Sequence, residues 1–319
     1  MSSFRWYDKA DIVAFSRHKG RLKAVMAMVW GIIGFLFPQP DHAQLPPRLP
    51  CRHMLKHFTL FLVLEYFNRK DKPYWYIDTH SGAGLYDLSG DEAQKVGEYK
   101  QGIALLEQAD KLPAELAEFV GRLKQILPQD NLYCGSPWLA QALTRDSDKM
   151  RLFELHPADF VHLQNNMREV RPTRKVQVSQ ADGYQGLISL LPPPPRRAAV
   201  LIDPPYEEKQ DYRRVVQVLK DALKRFETGC YMVWYPCLSR EESRKLPDEL
   251  KKIAPDNYLH AELHVHTPRS DGFGMHGSGM FVINPPYMLA EQLQNNLPEL
   301  SKILAQDAGA HYILESKTK

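Results

Sequence analysis

The chain has 319 residues, with 41 Lys and Arg against 38 Asp and Glu and a hydrophobic fraction of 44%. This balance excludes disordered, collagen-like and strongly basic tail proteins, and the length allows one large domain with an insertion or two modest domains. A net charge of +3 permits a polyanionic partner without indicating one. The four cysteines form no C-x-x-C pair, so they indicate neither a zinc cage nor a disulfide framework, and we expect a reducing cytoplasm.

The first 52 residues differ from the rest of the chain. Residues 24–37 are an unbroken apolar run that follows several basic residues, and residues 39–50 are rich in proline and lack apolar periodicity. The run is shorter than the roughly 20 residues of a membrane span, and it fits a signal peptide or a buried or interfacial helix better. We therefore expect an atypical segment at 1–52, a main domain at 53–319 and no membrane association.

From residue 53 onward, helical and strand patterns alternate. Apolar spacing predicts a helix at 54–67, followed by a buried strand at 74–79. Further apolar strands, each followed by a helical segment, are predicted at 151–155, 176–181, 198–203 and 230–235. This alternation predicts an α/β fold with a doubly wound, mostly parallel sheet.

Two regions depart from the simple alternation. The chain from about 87 to 131 is longer than an ordinary crossover and is largely helical in pattern, so it predicts a small helical insertion subdomain. The last two strand patterns, 260–266 and 280–284, flank a glycine-rich turn and predict an antiparallel end of the sheet.

Three weak signals follow successive predicted strands. Asp78 leads into Gly82-Ala83-Gly84, where glycines let a backbone approach a ligand, but Asp87 stands where a dinucleotide fingerprint has its third glycine. Glu154 could accept hydrogen bonds from ribose hydroxyls, and Asp182-Gly183 could hold an adenine edge. Each has an ordinary alternative as a turn or a solvated carboxylate. Because ligands of open α/β sheets bind at the carboxyl ends of the strands, the three together favour a nucleoside site.

The fourth signal, Asp203-Pro204-Pro205-Tyr206, is more specific. The lone pair of an aromatic amine such as adenine N6 is delocalised, so the amine needs acceptors for its N–H groups before it attacks a methyl group. The Asp203 carboxylate and the Pro204 carbonyl can be these acceptors, and Tyr206 can stack on an extruded base. A relaxed copy, Asn284-Pro285-Pro286-Tyr287, follows the last strand pattern. We favour Asp203 because it follows the other three signals in order.

Together these motifs resemble those of class I S-adenosylmethionine-dependent amino-methyltransferases, and more closely the RlmJ family of ribosomal RNA large subunit methyltransferases. The resemblance covers nearly everything from Met54 to the C-terminus and includes motifs outside the general methyltransferase set. The matching runs beyond those above are Leu55-Lys56-His57, Gly97-Glu98-Tyr99, Gly135-Ser136-Pro137, Glu154-Leu155-His156-Pro157 and Trp234-Tyr235-Pro236.

The resemblance implies a Rossmann-like class I methyltransferase fold and methylation of adenine N6, at family position 2030, in naked or early-assembling 23S rRNA. The cofactor is then S-adenosylmethionine, with Asp203 as the catalytic proton acceptor. We expect Lys56, Pro204 and Tyr206 to contact the substrate, and the protein to be a cytoplasmic monomer. The residues expected to contact the cofactor are His57, His80, Ser136, Glu154, Asp182 and Gly183.

Residues 1–52 do not match the aromatic, Arg- and His-rich segment with which the family begins, and we expect them not to be part of the working enzyme. Two other functions use similar chemistry or the same fold. One is methylation of DNA adenine N6 or of protein glutamine, and the other is RNA binding without turnover. Transfer of labelled methyl groups to 23S rRNA, duplex DNA or protein would separate them.

Some charged groups have an ordinary explanation. Lys56 and His57 could lie on the solvated face of an amphipathic helix. The alternating His260, Glu262, His264 and His266 could mark a metal site, but a solvated edge strand explains the alternation, so we predict no metal. A basic group could line a phosphate-binding face. Its members are Arg168, Arg171, Arg174, Lys175, Arg196, Arg197, Arg213 and Arg214.

Overall fold

The computed structural model describes residues 53–87, 102–128, 132–170 and 175–318. The predicted segment 1–52 and the first part of the predicted helical insertion lie outside these residues. The division of the chain at residue 52 therefore stays a prediction.

Eight helices within the described residues have both ends assigned: α1 (Met54–Asn68), α2 (Ala114–Ile126), α3 (Ser136–Leu143), α4 (Pro157–Val170), α5 (Gly183–Leu190), α6 (Lys209–Arg225), α7 (Glu241–Ile253) and α8 (Leu289–Ile303). Residues 102–108 are also helical. The strands are β1 (Trp75–Asp78), β2 (Leu85–Asp87), β3 (Leu132–Cys134), β4 (Lys149–Phe153), β5 (Val176–Ser179), β6 (Ala198–Ile202), β7 (Cys230–Leu238), β8 (Tyr258–His264), β9 (Met275–Ile283) and β10 (His311–Lys317).

Eight of these strands form one sheet in the order β10-β8-β9-β7-β6-β1-β4-β5. The five strands β7, β6, β1, β4 and β5 pair in parallel, whereas β9, β8 and β10 add antiparallel pairs. The predicted doubly wound sheet with an antiparallel end is therefore confirmed. β4 lies on one side of β1 and β6 on the other, so the chain order reverses at β1. A crevice for ligands forms at such a point, outside the carboxyl ends of the strands.

The antiparallel end differs from the prediction in two ways. The sequence pattern did not predict β10, which pairs with β8 and forms the edge of the sheet. The predicted glycine-rich turn is shorter than expected, because β9 already begins at Met275. Gly279 belongs to this strand, and a side chain there would overlap the ring of Tyr235 on β7. Glycine is therefore required by packing against the neighbouring strand, not by a turn.

The predicted helical insertion is visible in part. Helix α2 lies between β2 and β3, which pair with each other in a separate two-stranded sheet. Its apolar side packs into the core through Leu116, Phe119 and Leu123, and Phe119 contacts the rings of Phe58 and Phe61 on α1.

Helix α1 is buried on nearly all sides and packs against α3 and β9. Lys56 is 5% exposed and His57 is 1% exposed. The alternative explanation of this pair as the solvated face of an amphipathic helix is therefore wrong. Among the described residues, we find no helix with the length and apolarity that crossing a membrane requires.

Two members of the predicted basic group, Arg197 and Arg214, lie at opposite edges of the sheet, whereas Arg171 and Arg174 lie outside the described residues. Arg197 immediately precedes β6, and its guanidinium donates to the carbonyl oxygens of Phe67 and Lys72, each at 2.7 Å. Arg214 lies in α6, near the carboxyl edge, and pairs with Asp182 at 2.7 Å. Because Arg197 fastens the amino edge of the sheet, it does not join Arg214 in one phosphate-binding surface.

Candidate active site

The carboxyl end of β1 holds a buried carboxylate. Asp78 is fully buried, and its Oδ2 accepts hydrogen bonds from the hydroxyls of Tyr76 and Ser136, each at 2.8 Å. Burial raises the pKa of Asp78 to about 6, although both hydroxyl donors act to lower it. Ser136, predicted to contact the cofactor, is 4% exposed, and its hydroxyl is committed to Asp78. The first turn of α3 is thereby fixed to the end of β1.

The glycine-containing loop after β1 is tied to the end of β4. Gly82 has a φ of +59° and donates its backbone N–H to Oε2 of Glu154 at 2.8 Å. Oε1 of Glu154 accepts the N–H of His156 at 2.7 Å. Each carboxylate oxygen has a second lone pair, so Glu154 can still accept ribose hydroxyls while the loop holds it in place. The close backbone approach that these glycines allow therefore serves a contact within the protein, between the loop and Glu154.

Asp182 and Gly183 begin helix α5. Oδ1 of Asp182 accepts the N–H groups of Tyr184 at 2.9 Å and Gln185 at 3.2 Å, which is an N-cap. Oδ2 accepts the guanidinium of Arg214. A Cβ atom at Gly183 would overlap the carbonyl oxygen of Thr79, so this position requires glycine because β1 and α5 approach closely. The two residues are thus held directly beside the loop that follows β1.

Two histidines at this edge are neutral near physiological pH. Burial lowers the pKa of His57 well below its usual value, and Lys56 lowers it further. Both ring nitrogens of His57 are buried and lack a hydrogen-bond partner among the residues that the structure describes. Burial also lowers the pKa of His80 to about 4, and His80 Nδ1 lies 2.8 Å from the hydroxyl of Thr79. The ring of His57 packs beside those of His53 and Tyr133, with centroids 6.0 and 5.9 Å away, while its two nitrogens stay available to a ligand.

Asp203, at the end of β6, forms a buried ion pair with Lys56. Lys56 Nζ donates to Asp203 Oδ2 at 2.6 Å, and the two side chains are 6% and 13% exposed. Burial raises the pKa of Asp203, and Lys56 opposes this increase through its charge and its hydrogen bond. The Lys56 ammonium also lies 5.6 Å from the ring centroid of Trp234. The pair joins helix α1 to the tetrapeptide that the sequence singled out.

Tyr206 lies in a different environment from the one predicted. Its φ is +54°, it is 2% exposed, and its hydroxyl donates to the carbonyl oxygen of Trp234 at 2.8 Å. The ring centroid is 4.7 Å from that of Tyr212. In this conformation Tyr206 has no free face on which a base could stack, so stacking requires the ring to move. Pro204 is buried and Pro205 is exposed.

The second proline motif lies elsewhere. Asn284 follows β9, which runs antiparallel to β7, so it lies at the opposite edge of the sheet from Asp203. Its amide donates to the carbonyl oxygens of Glu227 and Gly229 at 2.7 and 2.8 Å, and its Oδ1 accepts the amide of Asn257. These bonds hold a turn together. Asn284 is thus separated from the strand ends that carry Glu154, Asp182 and Asp203, and the assignment of Asp203 stays a prediction.

The alternating histidines of β8 are not on a solvated edge, so that explanation is wrong. His260 and His264 are 5% and 8% exposed, because β10 covers the strand that would otherwise be the edge. Glu262 accepts hydrogen bonds from Tyr235 at 2.7 Å and lies 2.7 Å from His264 Nε2. Possible ligand atoms of Cys237, Glu262 and His264 all lie within 4.8 Å of one another. These hydrogen bonds engage both oxygens of the Glu262 carboxylate, and the absence of a metal at this cluster stays a prediction.

Comparison with known proteins shows which family this chain resembles. The family model described as "Ribosomal RNA large subunit methyltransferase D, RlmJ" matches residues 71–315. The protein "Ribosomal RNA large subunit methyltransferase J" of Escherichia coli (strain K12) is 42% identical over 259 residues, which are 80% of this chain and 91% of that protein. Its namesake in Haemophilus influenzae is 41% identical over 265 residues, covering 82% and 93% of the two chains.

The chain belongs to the RlmJ family. A crystal structure of a Legionella pneumophila protein is similar throughout, with a TM-score of 0.76, 33% identity and coverage of 86% of this chain and 98% of that one. The family and the strand order identify a Rossmann-like class I methyltransferase fold, and the chain is a methyltransferase. The fold and the family predicted from the motifs are both confirmed.

Sequence reasoning missed three parts of the site. Asp78 was noted only as the start of a motif, yet it fastens Ser136. Arg214 was assigned to a basic surface, yet it pairs with Asp182. Trp234 was named only as part of a matching family run, and its place beside Lys56 follows from the pairing of β6 with β7.

Proposed function

We propose that this protein uses S-adenosylmethionine to methylate N6 of an adenine in 23S rRNA, at family position 2030, in naked or early-assembling RNA. The names of its relatives support large-subunit rRNA as the substrate. The observation that carries the proposal is the buried Asp203 carboxylate beside Pro204 at the end of β6. A substrate in assembling ribosomes places the protein in the cytoplasm, and a single copy supplies all the residues proposed to act.

The residues at the crevice fit the proposed cofactor. Glu154 has free lone pairs for ribose hydroxyls, and Asp182 stands where an adenine edge would reach it, provided that Arg214 yields Oδ2. His57 offers two buried ring nitrogens without a described partner. We propose these residues, with His80, Ser136 and Gly183, as the cofactor site. When bound, S-adenosylmethionine supplies a methyl group on a positively charged sulfur.

Asp203 is proposed to accept an N–H of the adenine amine, with the Pro204 carbonyl accepting the other. The bound cofactor would supply the methyl carbon to nitrogen and its sulfur would keep the electron pair of the broken carbon–sulfur bond. Asp203 would accept the displaced N6 proton. Burial favours this step, because it raises the proton affinity of the carboxylate. Lys56 holds the carboxylate in position and keeps it ionised beforehand. Lys56 and Pro204 remain our proposed substrate contacts, and Tyr206 joins them when its ring moves out of its buried position.

Methyl transfer from labelled S-adenosylmethionine tests the proposal, with naked 23S rRNA, duplex DNA and protein as competing acceptors. We expect label in the RNA, at N6 of one adenine. Asp203→Ala should abolish turnover and retain cofactor binding. Label in DNA or protein instead would contradict the proposed substrate. RNA binding that persists without methyl transfer, and that Asp203→Ala leaves unchanged, would indicate a non-catalytic relative.

A further inference from the structure

An exposed aromatic ring lies on the loop that joins β8 to β9. Phe273 is 74% exposed. Strands β7 and β8 both pair antiparallel with β9, so β8 points in the same direction as β7. The loop that follows β8 therefore lies at the carboxyl edge of the sheet, which is the edge that carries Asp203.

The loop has a defined shape. Asp271 accepts the backbone N–H of Phe273 at 2.9 Å, and it also pairs with the guanidinium of Arg269 at 2.6 Å. Gly272 and Gly274, on either side of the ring, have φ angles of +72° and +85°, which glycine adopts readily. The turn thus presents Phe273 to solvent instead of folding it onto the protein.

A short path of neighbouring residues connects this loop to the candidate active site. A Cβ atom at Gly272 would lie 4.0 Å from the Cβ atom of Ser239. The next residue, Arg240, is exposed, and its guanidinium donates to the carbonyl oxygen of Tyr206 at 3.4 Å. Arg240 therefore stands between the Asp203 tetrapeptide and the Phe273 loop, with a positive charge at the surface.

Strand β7 extends beyond the end of β6 at this edge, which favours contact with a large substrate. β6 ends at Ile202, which pairs with Val233, but β7 continues through residues 234–238 in its pairing with β9. The paired strands β7 and β9 therefore project past Asp203, and the Phe273 loop, residues 265–274, forms the rim at the end of this projection. The rim is therefore available to a nucleotide strand that delivers a base to Asp203 from this side of the sheet.

We propose that Phe273 stacks on an unpaired base next to the target adenine, and that Arg240 contacts a phosphate between the two nucleotides. The inference rests on the proposed RNA substrate. Extruding one adenine leaves neighbouring bases unstacked, and an aromatic ring binds any of them because every base has a π face. The buried ring of Tyr206 offers no such face, and among the residues that the structure describes Phe273 is the highly exposed aromatic ring at this edge. Arginine is well suited to the intervening phosphate.

The first test compares the kinetics of full-length variants on naked 23S rRNA. Phe273→Ala should raise KM for the RNA roughly tenfold and leave cofactor affinity unchanged, since one stacked base is lost. Phe273→Trp should restore KM, because it keeps an aromatic face. Tyr287→Ala is the matched control, because Tyr287 is also 74% exposed but lies near Asn284 at the opposite edge. We expect it to behave like the wild type.

The second test measures binding of a short fluorescent single-stranded RNA, which needs no turnover. Weaker binding by Phe273→Ala, with normal binding by Phe273→Trp and Tyr287→Ala, would support the proposal. Equal binding by all variants, or no binding by the wild type, would overturn it. A wild type that binds the RNA through Phe273 but methylates no rRNA would contradict the proposed function and leave the stacking role established.

Discussion

Replacing Lys56 with methionine would leave a buried carboxylate without its partner. Met keeps the apolar stem of the side chain but removes the ammonium that lies 2.6 Å from Asp203 Oδ2. Both side chains are largely shielded from water, at 6% and 13% exposed, so solvent compensates little for the loss. Breaking a buried ion pair in this way costs about 3–5 kcal/mol. We expect the free energy of unfolding of Lys56→Met to fall by about 3 kcal/mol at pH 8.

The loss should depend on pH. Burial raises the pKa of Asp203 and Lys56 opposes this, so removing Lys56 raises the folded-state pKa further above that of the unfolded chain. Between these two pKa values the folded protein binds a proton that the unfolded protein has released, and stability falls as pH rises. At pH 5 more of the variant is protonated at Asp203. The destabilisation should therefore be smaller at pH 5 than at pH 8.

Urea unfolding at both pH values measures these quantities for the wild type, Lys56→Met, Asp203→Asn and the double variant. The double variant leaves no unpaired charge at this position, so it should recover most of the stability that Lys56→Met loses. Lys245→Met is the control, because Lys245 pairs with Glu241 at the surface with side chains 68% and 63% exposed. Its effect should stay below about 0.5 kcal/mol. Wild-type stability of Lys56→Met at pH 8, or a loss equally large at pH 5, would refute the reasoning.

Three further substitutions test the cofactor side of the site, and a fourth, Gly121→Ala, is a control outside it. His57→Phe removes two buried nitrogens that lack a described hydrogen-bond partner, so the free energy of unfolding should stay the same or rise slightly. Calorimetry should show weaker binding of the demethylated cofactor. Gly183→Ala should lower stability by about 1–3 kcal/mol and weaken cofactor binding, because the new Cβ overlaps the β1 loop. Gly121→Ala, in helix α2 with nothing within 4 Å of the added atom, should instead stabilise by about 0.5–1 kcal/mol in urea unfolding. Ser136→Ala removes a donor from Asp78, so the free energy of unfolding should fall by about 1.5–3 kcal/mol at pH 8. The difference should be smaller at pH 5, where the carboxyl is largely protonated because the pH lies below its pKa of about 6.

Each of these has a clear contrary result. Unchanged cofactor affinity in His57→Phe would mean that its ring nitrogens do not face the ligand. Equal effects of Gly183→Ala and Gly121→Ala would mean that the close approach of α5 to β1 is not rigid. A Ser136→Ala variant as stable as the wild type at both pH values would mean that Asp78 finds another donor.

The sequence by itself determined the parallel sheet, its antiparallel end and the family. Buried strands are short apolar runs and surface helices have apolar periodicity, so these elements are visible locally. The order of Glu154, Asp182 and Asp203 at strand ends was also sufficient to indicate one site, because parallel strands place their carboxyl ends at one edge. The β10 strand escaped prediction because its residues are largely exposed and their partner, β8, is distant in sequence.

Only the tertiary structure decided what each polar group contacts. Lys56 and Asp203 are 147 positions apart, and no local pattern marks them as a pair. The same holds for Ser136 with Asp78 and for Arg214 with Asp182. Tyr206 occupies a motif that predicts a stacking ring, yet its surroundings bury it. Apolar periodicity records which side of an element faces the core, whereas hydrogen bonds and charge pairs depend on how the elements are arranged in space.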